Sequence, residues 1–328
     1  MPHDVEFDIP FPRTPPADPT DTEADLAAWL LDLGLLRTPA EAEYFAGMRV
    51  GEYSALLFPR GTGADLALVA QVIGIMTVVN DQVDHVTGQR TGRGLAMCDD
   101  LVTLMRQEHP RSPRTPAGVA WCRIWPRLAW GMSPGWRDRT RRDSARFYDA
   151  YRQPDFRRTV AQYVERREIT SALAVQLGLA ERSGHFEVPE SAREADLVTA
   201  LYRDTVKIMM FPNDVFSLER EEARHEVDNL VLVMEHGTGR PRGEVIAEIQ
   251  DLVREAGEHF VRLEARVPDL AAALRLDTSE FDALNRYVRA MRDIAIGLHA
   301  YHTGHTTRFD PRAAAHARTS GYEEVRHV

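Results

Sequence analysis

Along this chain the apolar residues recur at helical spacing, three and four apart, and no run alternates apolar with polar in the manner of a half-buried strand. The period is plain in Leu26-Ala27-Trp29-Leu30-Leu31, from Ala42 to Leu57, from Ala64 to Val79 and from Leu95 to Met105. Further helical stretches are predicted over 115–132, 139–152, 155–183, 194–226, 241–265 and 277–303, separated by Pro, Gly or Asp-Thr-Ser punctuation. About ten helices with short loops, no repeat and no linker predict an all-α single domain, a helical barrel or bundle. Residues 1–20 are acidic and Pro-rich, which predicts a flexible N-terminal segment; 21–309 form the helical domain, and 310–328 a flexible polar tail.

Composition narrows the function classes. With 44% apolar and 27% charged residues among 328, the chain can bury a substantial core without staples. Cys98 and Cys122 form no Cys-x-x-Cys pair, so neither a disulfide framework nor a cysteine zinc site is indicated, and both read as small core residues. The N-terminus lacks the basic start and apolar run of a secretory signal, which predicts a cytoplasmic protein. The longest apolar stretch, Leu66 to Val79, is interrupted by Gln71 and falls short of the ~18 residues of a membrane span, so a buried core helix is expected and no membrane span. A net charge of -10 disfavours nucleic acid as a partner. Basic charge is almost entirely arginine, Lys207 being the only lysine. Arginine's planar fork suits bidentate diphosphate contacts, although codon usage alone produces the same bias.

The sharpest chemical signal is Asn213, Ser217 and Glu221, spaced four apart. On a helix they form one stripe that drifts only ~80° over two turns, so three oxygen donors point one way. A hard cation such as Mg2+ takes such donors, keeps several waters and is completed by substrate phosphates. The stripe is flanked by the apolar runs Val206-Lys207-Ile208-Met209-Met210-Phe211 and Leu230-Val231-Leu232-Val233, which places it in otherwise buried helix. A second oxygen cluster, Asn80-Asp81-Gln82-Val83-Asp84, follows the apolar helix, with Asp81 and Asp84 on one face. Acids near a helix C-terminus oppose its dipole and invite a compensating cation, though a solvated acidic turn gives the same pattern. The pair Asp99-Asp100 lacks a third acid, sits among surface-type residues and is set aside.

Asn80-Asp81-x-x-Asp84 followed by Asn213-Asp214-x-x-Ser217-x-x-x-Glu221 resembles the aspartate-rich and NSE motifs of the bacterial class I terpene synthases. The resemblance implies an all-α class I terpenoid synthase barrel whose two motifs face each other across its mouth and bind three Mg2+ ions with an isoprenyl diphosphate. It implies that Asn80, Asp81, Asp84, Asn213, Ser217 and Glu221 hold metal. The segment Arg166-Arg167-Glu168-Ile169-Thr170-Ser171 resembles the family's sensor, linker and effector arrangement, with Arg167 sensing diphosphate, Thr170 linking and the Ser171 carbonyl facing the ionising carbon. Arg166 and Arg167 differ by 100° around a helix, so only Arg167 is expected to face the site. His302 to Phe309 resembles the family's C-terminal segment ending in Arg-Tyr; Arg308 fits, while Phe309 departs and removes a hydroxyl. Asn80 departs too, since an amide brings no negative charge.

On this resemblance the chain ionises a linear isoprenyl diphosphate and cyclises the cation, with Arg167, Arg220 and Arg308 on the leaving diphosphate and Thr77, Val78, Phe211, Phe216 and Tyr301 as candidate pocket walls. The Pro-rich segment is expected to help cover the mouth, and a homodimer is allowed. Ile75-Met76-Thr77-Val78-Val79 carries no aromatic where farnesyl-using relatives often resemble Trp-Leu-Phe, so geranylgeranyl diphosphate is expected ahead of farnesyl diphosphate, and a diterpene product with it. A chain-elongating prenyl synthase would resemble two aspartate-rich motifs plus lysines that hold a second diphosphate, and this chain, with one lysine and an NSE stripe, does not. The remaining alternative is a non-catalytic helical protein binding an isoprenoid or a partner, with a decayed metal site, kept open by Asn80 and Phe309.

Overall fold

The computed structural model describes residues 5–18, 22–83, 92–152, 159–223, 227–304 and 306–309. Among them are fifteen helical segments and no strand. Helices α1 (Thr22–Asp32), α2 (Pro39–Gly47) and α3 (Val50–Leu57) lead into α4 (Gly63–Val83), whose sides are almost all buried. Then follow α5 (Gly92–Met105), α6 (Pro116–Ala129), α7 (Pro134–Ala150), α8 (Val160–Thr170), α9 (Leu173–Gly184) and the single turn α10 (Glu190–Arg193). The long α11 (Asp196–Ala223), α12 (Leu230–Thr238), α13 (Arg242–Glu264), α14 (Val267–Leu274) and α15 (Thr278–His302) complete the fold.

Local chemistry sets the helix starts. Thr115 and Ser133 accept from the third backbone N–H of α6 and α7, with Pro116 and Pro134 at the first helical position, while Thr159 and Asp277 form reciprocal capping boxes on α8 and α15. Asp100 is buried rather than on the surface, because its carboxylate accepts from the backbone N–H groups of Arg114 and Thr115 and from the Thr115 hydroxyl, pinning the loop before α6.

The helices close a ring. Contacts run α3–α4, α4–α5, α5–α7, α7–α8, α8–α11, α11–α15 and α15 back to α3, with α9 packed against α4, α7, α8 and α15. α15 approaches α3 so closely that a Cβ on Gly297 would lie 2.4 Å from the Leu56 carbonyl oxygen. α4 is long and apolar enough to cross a membrane, yet 61% of its apolar window is buried inside the fold, as a core helix requires. Cys98 is buried and Cys122 half-buried, and neither forms a disulfide.

Three sequence expectations change. The stretch 42–57 breaks at Arg49, and 155–183 breaks at Ala172, both left-handed (φ 54 and 62). Neither break carries Gly or Pro at the turning residue, so punctuation did not mark it. The N-terminal segment over 5–18 is extended but docked: Phe7 and Phe11 are buried, Phe11 meets Phe260 edge-on at 5.0 Å, and Thr14 donates to Asp293 at 2.8 Å. Pro10 lies so near α13 that a Cβ on Gly257 would come within 2.5 Å of it. None of these residues lines the cavity described below. The 310–328 tail lies outside the described residues.

Candidate active site

A cavity of about 210 Å3 opens at one end of the ring, between α4 and α7 on one side and α8, α11 and α15 on the other. Its deeper wall takes Ile73, Met76 and Thr77 from α4, Phe147 from α7, Met210 from α11 and Leu298 from α15. Its rim is charged, carrying Arg166, Arg167, Arg220, Glu221, Asp228 and Arg308. Of the predicted pocket residues, Thr77 and Tyr301 are on the cavity wall. Val78, Phe211 and Phe216 are not on it: each is buried in the packed interior, because its side of the helix faces a neighbouring helix.

On α11 the stripe runs as its spacing predicts. Asn213 and Glu221 line the cavity, and Ser217 lies between them, fully buried, with its Oγ making no hydrogen bond. Asn213 places Nδ2 2.9 Å from His302 Nε2. Glu221 Oε2 accepts from Asn229 Nδ2 at 2.8 Å, and the same amide donates to the Asp214 carbonyl at 2.7 Å while its Oδ1 caps α12. Arg220 lies beside Glu221 at 3.7 Å; it is 6% exposed, and its Nε and Nη1 have no hydrogen-bond partner. A buried guanidinium with idle donors favours an anion.

Asp214, unused in the stripe, is fully buried and holds Arg167. Arg167 Nη2 donates to Asp214 Oδ1 at 2.6 Å and Nε donates to the Tyr163 hydroxyl at 2.6 Å, while that hydroxyl donates to Asp214 Oδ2. Leu230 N also donates to Asp214 Oδ2, at 2.7 Å. Burial pushes the Asp214 carboxyl up, and the Arg167 guanidinium pulls it back. Arg166, expected to turn away, lines the cavity as well, donating to Asp228 at 2.8 Å and to the Ala150 carbonyl at 3.2 Å. A 100° step still leaves two long arms on the same half of a helix at the rim.

Beyond Arg167, α8 ends at Thr170 and the chain turns through Ala172 into α9. Thr170, Ser171 and Ala172 all line the cavity, and no backbone hydrogen bond reaches the Ser171 carbonyl among the described residues.

Across the cavity, Asp81 sits in the last turn of α4, where it opposes the helix dipole. The compensating cation is Arg308, whose Nη2 lies 3.2 Å from Asp81 Oδ1. Asp81 is 6% exposed and is covered by that guanidinium rather than placed on the cavity wall. Asn80 is on the wall, and its Oδ1 accepts from the Tyr151 hydroxyl at 2.6 Å. Asp84 lies outside the described residues.

A family model described as terpene synthase family 2, C-terminal metal binding, matches residues 71–258, which hold both motifs and Arg167. The chain is 31% identical to pentalenene synthase of Streptomyces exfoliatus over 99% of its own length and 98% of that protein's. The chain belongs to the bacterial class I terpene synthases. It is also 32% identical to the (-)-beta-caryophyllene synthase of Saccharothrix espanaensis, named as cyclising (2E,6E)-farnesyl diphosphate, over 88% of this chain and 84% of that one. The crystal structure of linalool/nerolidol synthase from Streptomyces clavuligerus in complex with 2-fluorogeranyl diphosphate superposes with a TM-score of 0.81 at 27% identity, covering 93% of this chain and 100% of that one.

This terpene synthase is therefore an enzyme, a terpene cyclase, and the non-catalytic alternative is set aside. Among the described residues no three His, Cys, Asp or Glu gather as a metal-binding group. The stripe accounts for this, offering one amide, one hydroxyl and one carboxylate. The partnerless Ser217 Oγ, buried beside Glu221, fits an oxygen-seeking cation. Sequence reading missed Tyr163, Tyr151, Asp228 and Asn229 as site residues. Two carried a local signal: Tyr163 stands one turn before Arg167 on the same face, and Asn229 precedes an apolar run as an N-cap does.

Proposed function

We propose that this cyclase ionises farnesyl diphosphate with Mg2+ and closes the resulting allyl cation into a cyclic cation, which becomes a sesquiterpene hydrocarbon by losing a proton, or a sesquiterpene alcohol by adding water and losing a proton. The observation that carries the reading is Arg220, a buried guanidinium beside Glu221 whose Nε and Nη1 have no hydrogen-bond partner, at the rim of a cavity whose depth is apolar. Asn213, Ser217 and Glu221 would hold cations on one wall and Asn80 on the other, joined by Asp81 once Arg308 turns from it to the diphosphate; the sequence resemblance assigns Asp84 the same role, for three ions in all. Bound Mg2+ supplies positive charge that stabilises the departing diphosphate. Arg167, Arg220 and Arg308 donate to the same leaving group as its carbon–oxygen bond breaks and the electron pair passes to diphosphate, a preorganised arrangement of donors. The Ser171 carbonyl, left without a backbone partner, faces the allyl carbon, and Thr170 links it to Arg167. Met76, Phe147 and Leu298 exclude water and give the cation an apolar surround.

The fifteen-carbon chain replaces the geranylgeranyl chain expected from 75–79. That segment does lack aromatics, but Phe147 and Tyr151 from α7, Tyr53 from α3, and Tyr301 and Phe309 enter the cavity wall from elsewhere. A volume of about 210 Å3 is below the roughly 300–1,000 Å3 of ordinary ligand sites, which favours the shorter substrate. The farnesyl-cyclising relative points the same way. Incubation of the purified protein with Mg2+ and the ten-, fifteen- and twenty-carbon diphosphates, read by gas chromatography, tests this. Cyclic hydrocarbon or alcohol from the fifteen-carbon substrate, abolished by chelator, is expected. Faster turnover of the twenty-carbon substrate, or undiminished turnover with chelator, overturns it.

A further inference from the structure

Glu221 is the one carboxylate of the α11 stripe. The torsion that ends a glutamate side chain is broad, so such a group can offer a cation either oxygen or both. Here one oxygen is already taken. Glu221 Oε2 accepts from Asn229 Nδ2 at 2.8 Å, while Oε1 lies 3.7 Å from Arg220 Nη2, beyond hydrogen-bond reach.

Asn229 stands behind the site: it is fully buried and absent from the cavity wall, which Glu221 does line. Its amide has one orientation open to it, because two backbone groups of fixed polarity hold it. The Val231 N–H, which can only donate, gives to Oδ1 at 2.9 Å, and the Asp214 carbonyl, which can only accept, takes from Nδ2 at 2.7 Å. A reversed amide would lose both bonds. The remaining Nδ2 hydrogen goes to Glu221 Oε2. The backbone is held as well, since Asn229 is the N-cap of α12, extended at φ -129 and ψ 133, and the next residue gives its N–H to Asp214 Oδ2 at 2.7 Å. α12 itself packs on α8, α11 and α13, with Leu230 and Val231 fully buried.

We infer that Asn229 is a positioning residue for the metal site: by holding Glu221 Oε2 it fixes the carboxylate about its last bond and leaves Oε1 as the oxygen offered to a cation. The inference rests on Glu221 being a metal ligand, as proposed above. Partners of this kind, one step behind a ligand, typically change metal affinity by about 10–100-fold when removed.

Binding of Mn2+ in the presence of inorganic diphosphate, followed by calorimetry and by the paramagnetic resonance of free Mn2+, tests it without turnover. Asn229→Ser keeps an N-cap of similar quality on α12, but its hydroxyl stops short of Glu221. It should weaken Mn2+ binding about tenfold or more. Where the serine variant fails to fold, Asn229→Gly replaces it, because glycine also caps well and has no donor to give. A variant that binds Mn2+ as the parent does, whatever its thermal midpoint, shows a residue that only caps a helix and overturns the inference. The loss must also pass through Glu221. In a Glu221→Ala background, adding Asn229→Ser should cost no more than about twofold further, and a loss as large as in the parent overturns the inference too. Glu221→Ala alone keeps the two readings apart. If it loses Mn2+ while Asn229→Ser does not, the positioning role alone falls; if it binds Mn2+ as the parent does, the metal assignment falls and the positioning role with it.

Discussion

Removing Arg167 should damage the protein twice, and the two effects can be separated. Arg167→Ala deletes a donor proposed for diphosphate, so turnover should be lost. It also strips a fully buried carboxylate of its cation, since Asp214 is 0% exposed and Arg167 is its ion-pair partner at 2.6 Å. Tyr163 and Leu230 N remain on Asp214 Oδ2, but both are neutral donors. Breaking a buried pair from one side costs about 3–5 kcal/mol, and the remaining hydrogen bonds argue for about 3. In a chain of this size that lowers the thermal midpoint by roughly 4 °C. Adding Asp214→Asn removes the stranded charge. Its amide can turn its oxygen to Tyr163 and Leu230, so the double variant should regain most of the lost stability and none of the turnover. Calorimetry or urea denaturation reads the first quantity, and product formation from farnesyl diphosphate reads the second. An Arg167→Ala protein as stable as the parent would refute the account of Asp214, and a double variant that recovers turnover would refute the role of Arg167.

Two further outcomes follow from the geometry. Asn80→Asp should keep its bond from Tyr151, because a carboxylate accepts as well as an amide does, and should lower the Mg2+ concentration for half-maximal rate; a Mg2+ titration that shows an increase counts against Asn80 facing metal. Ala172→Gly should raise stability by about 1 kcal/mol, since the left-handed backbone strains a Cβ and not a glycine, and a urea midpoint below that of the parent would contradict it.

How far the sequence could be read depended on whether the information lay within one element. The all-α class and the Asn213, Ser217, Glu221 stripe are each a period along a single helix, and the stripe's ends reach the cavity as the period requires. The break at Ala172 was not legible, because Thr170-Ser171-Ala172-Leu173 continues the apolar period and the left-handed residue is held by packing rather than by glycine. The contacts that finish the site join distant positions: Tyr151 to Asn80, Tyr163 to Asp214, His302 to Asn213. No local pattern encodes such pairings. The N-terminal segment is helix-free as its prolines require, but the places where Phe7 and Phe11 are buried, against α11, α13 and α15, are again set by distant positions.

The charges at the rim have one more property in common. Each of the four arginines on the cavity wall stands next to a carboxylate: Arg166 with Asp228, Arg167 with Asp214, Arg220 with Glu221 and Arg308 with Asp81. Such pairing lets a buried, heavily charged site exist without the penalty of lone ions. It also restricts what can bind. An anion alone would draw the arginines and leave carboxylates bare, and a cation alone would do the reverse. A diphosphate accompanied by divalent cations supplies both signs together, so every charge that changes partner finds another. On the proposed reaction, the paired charges of the rim would therefore favour a metal diphosphate over either ion alone, before any contact with its hydrocarbon chain is counted.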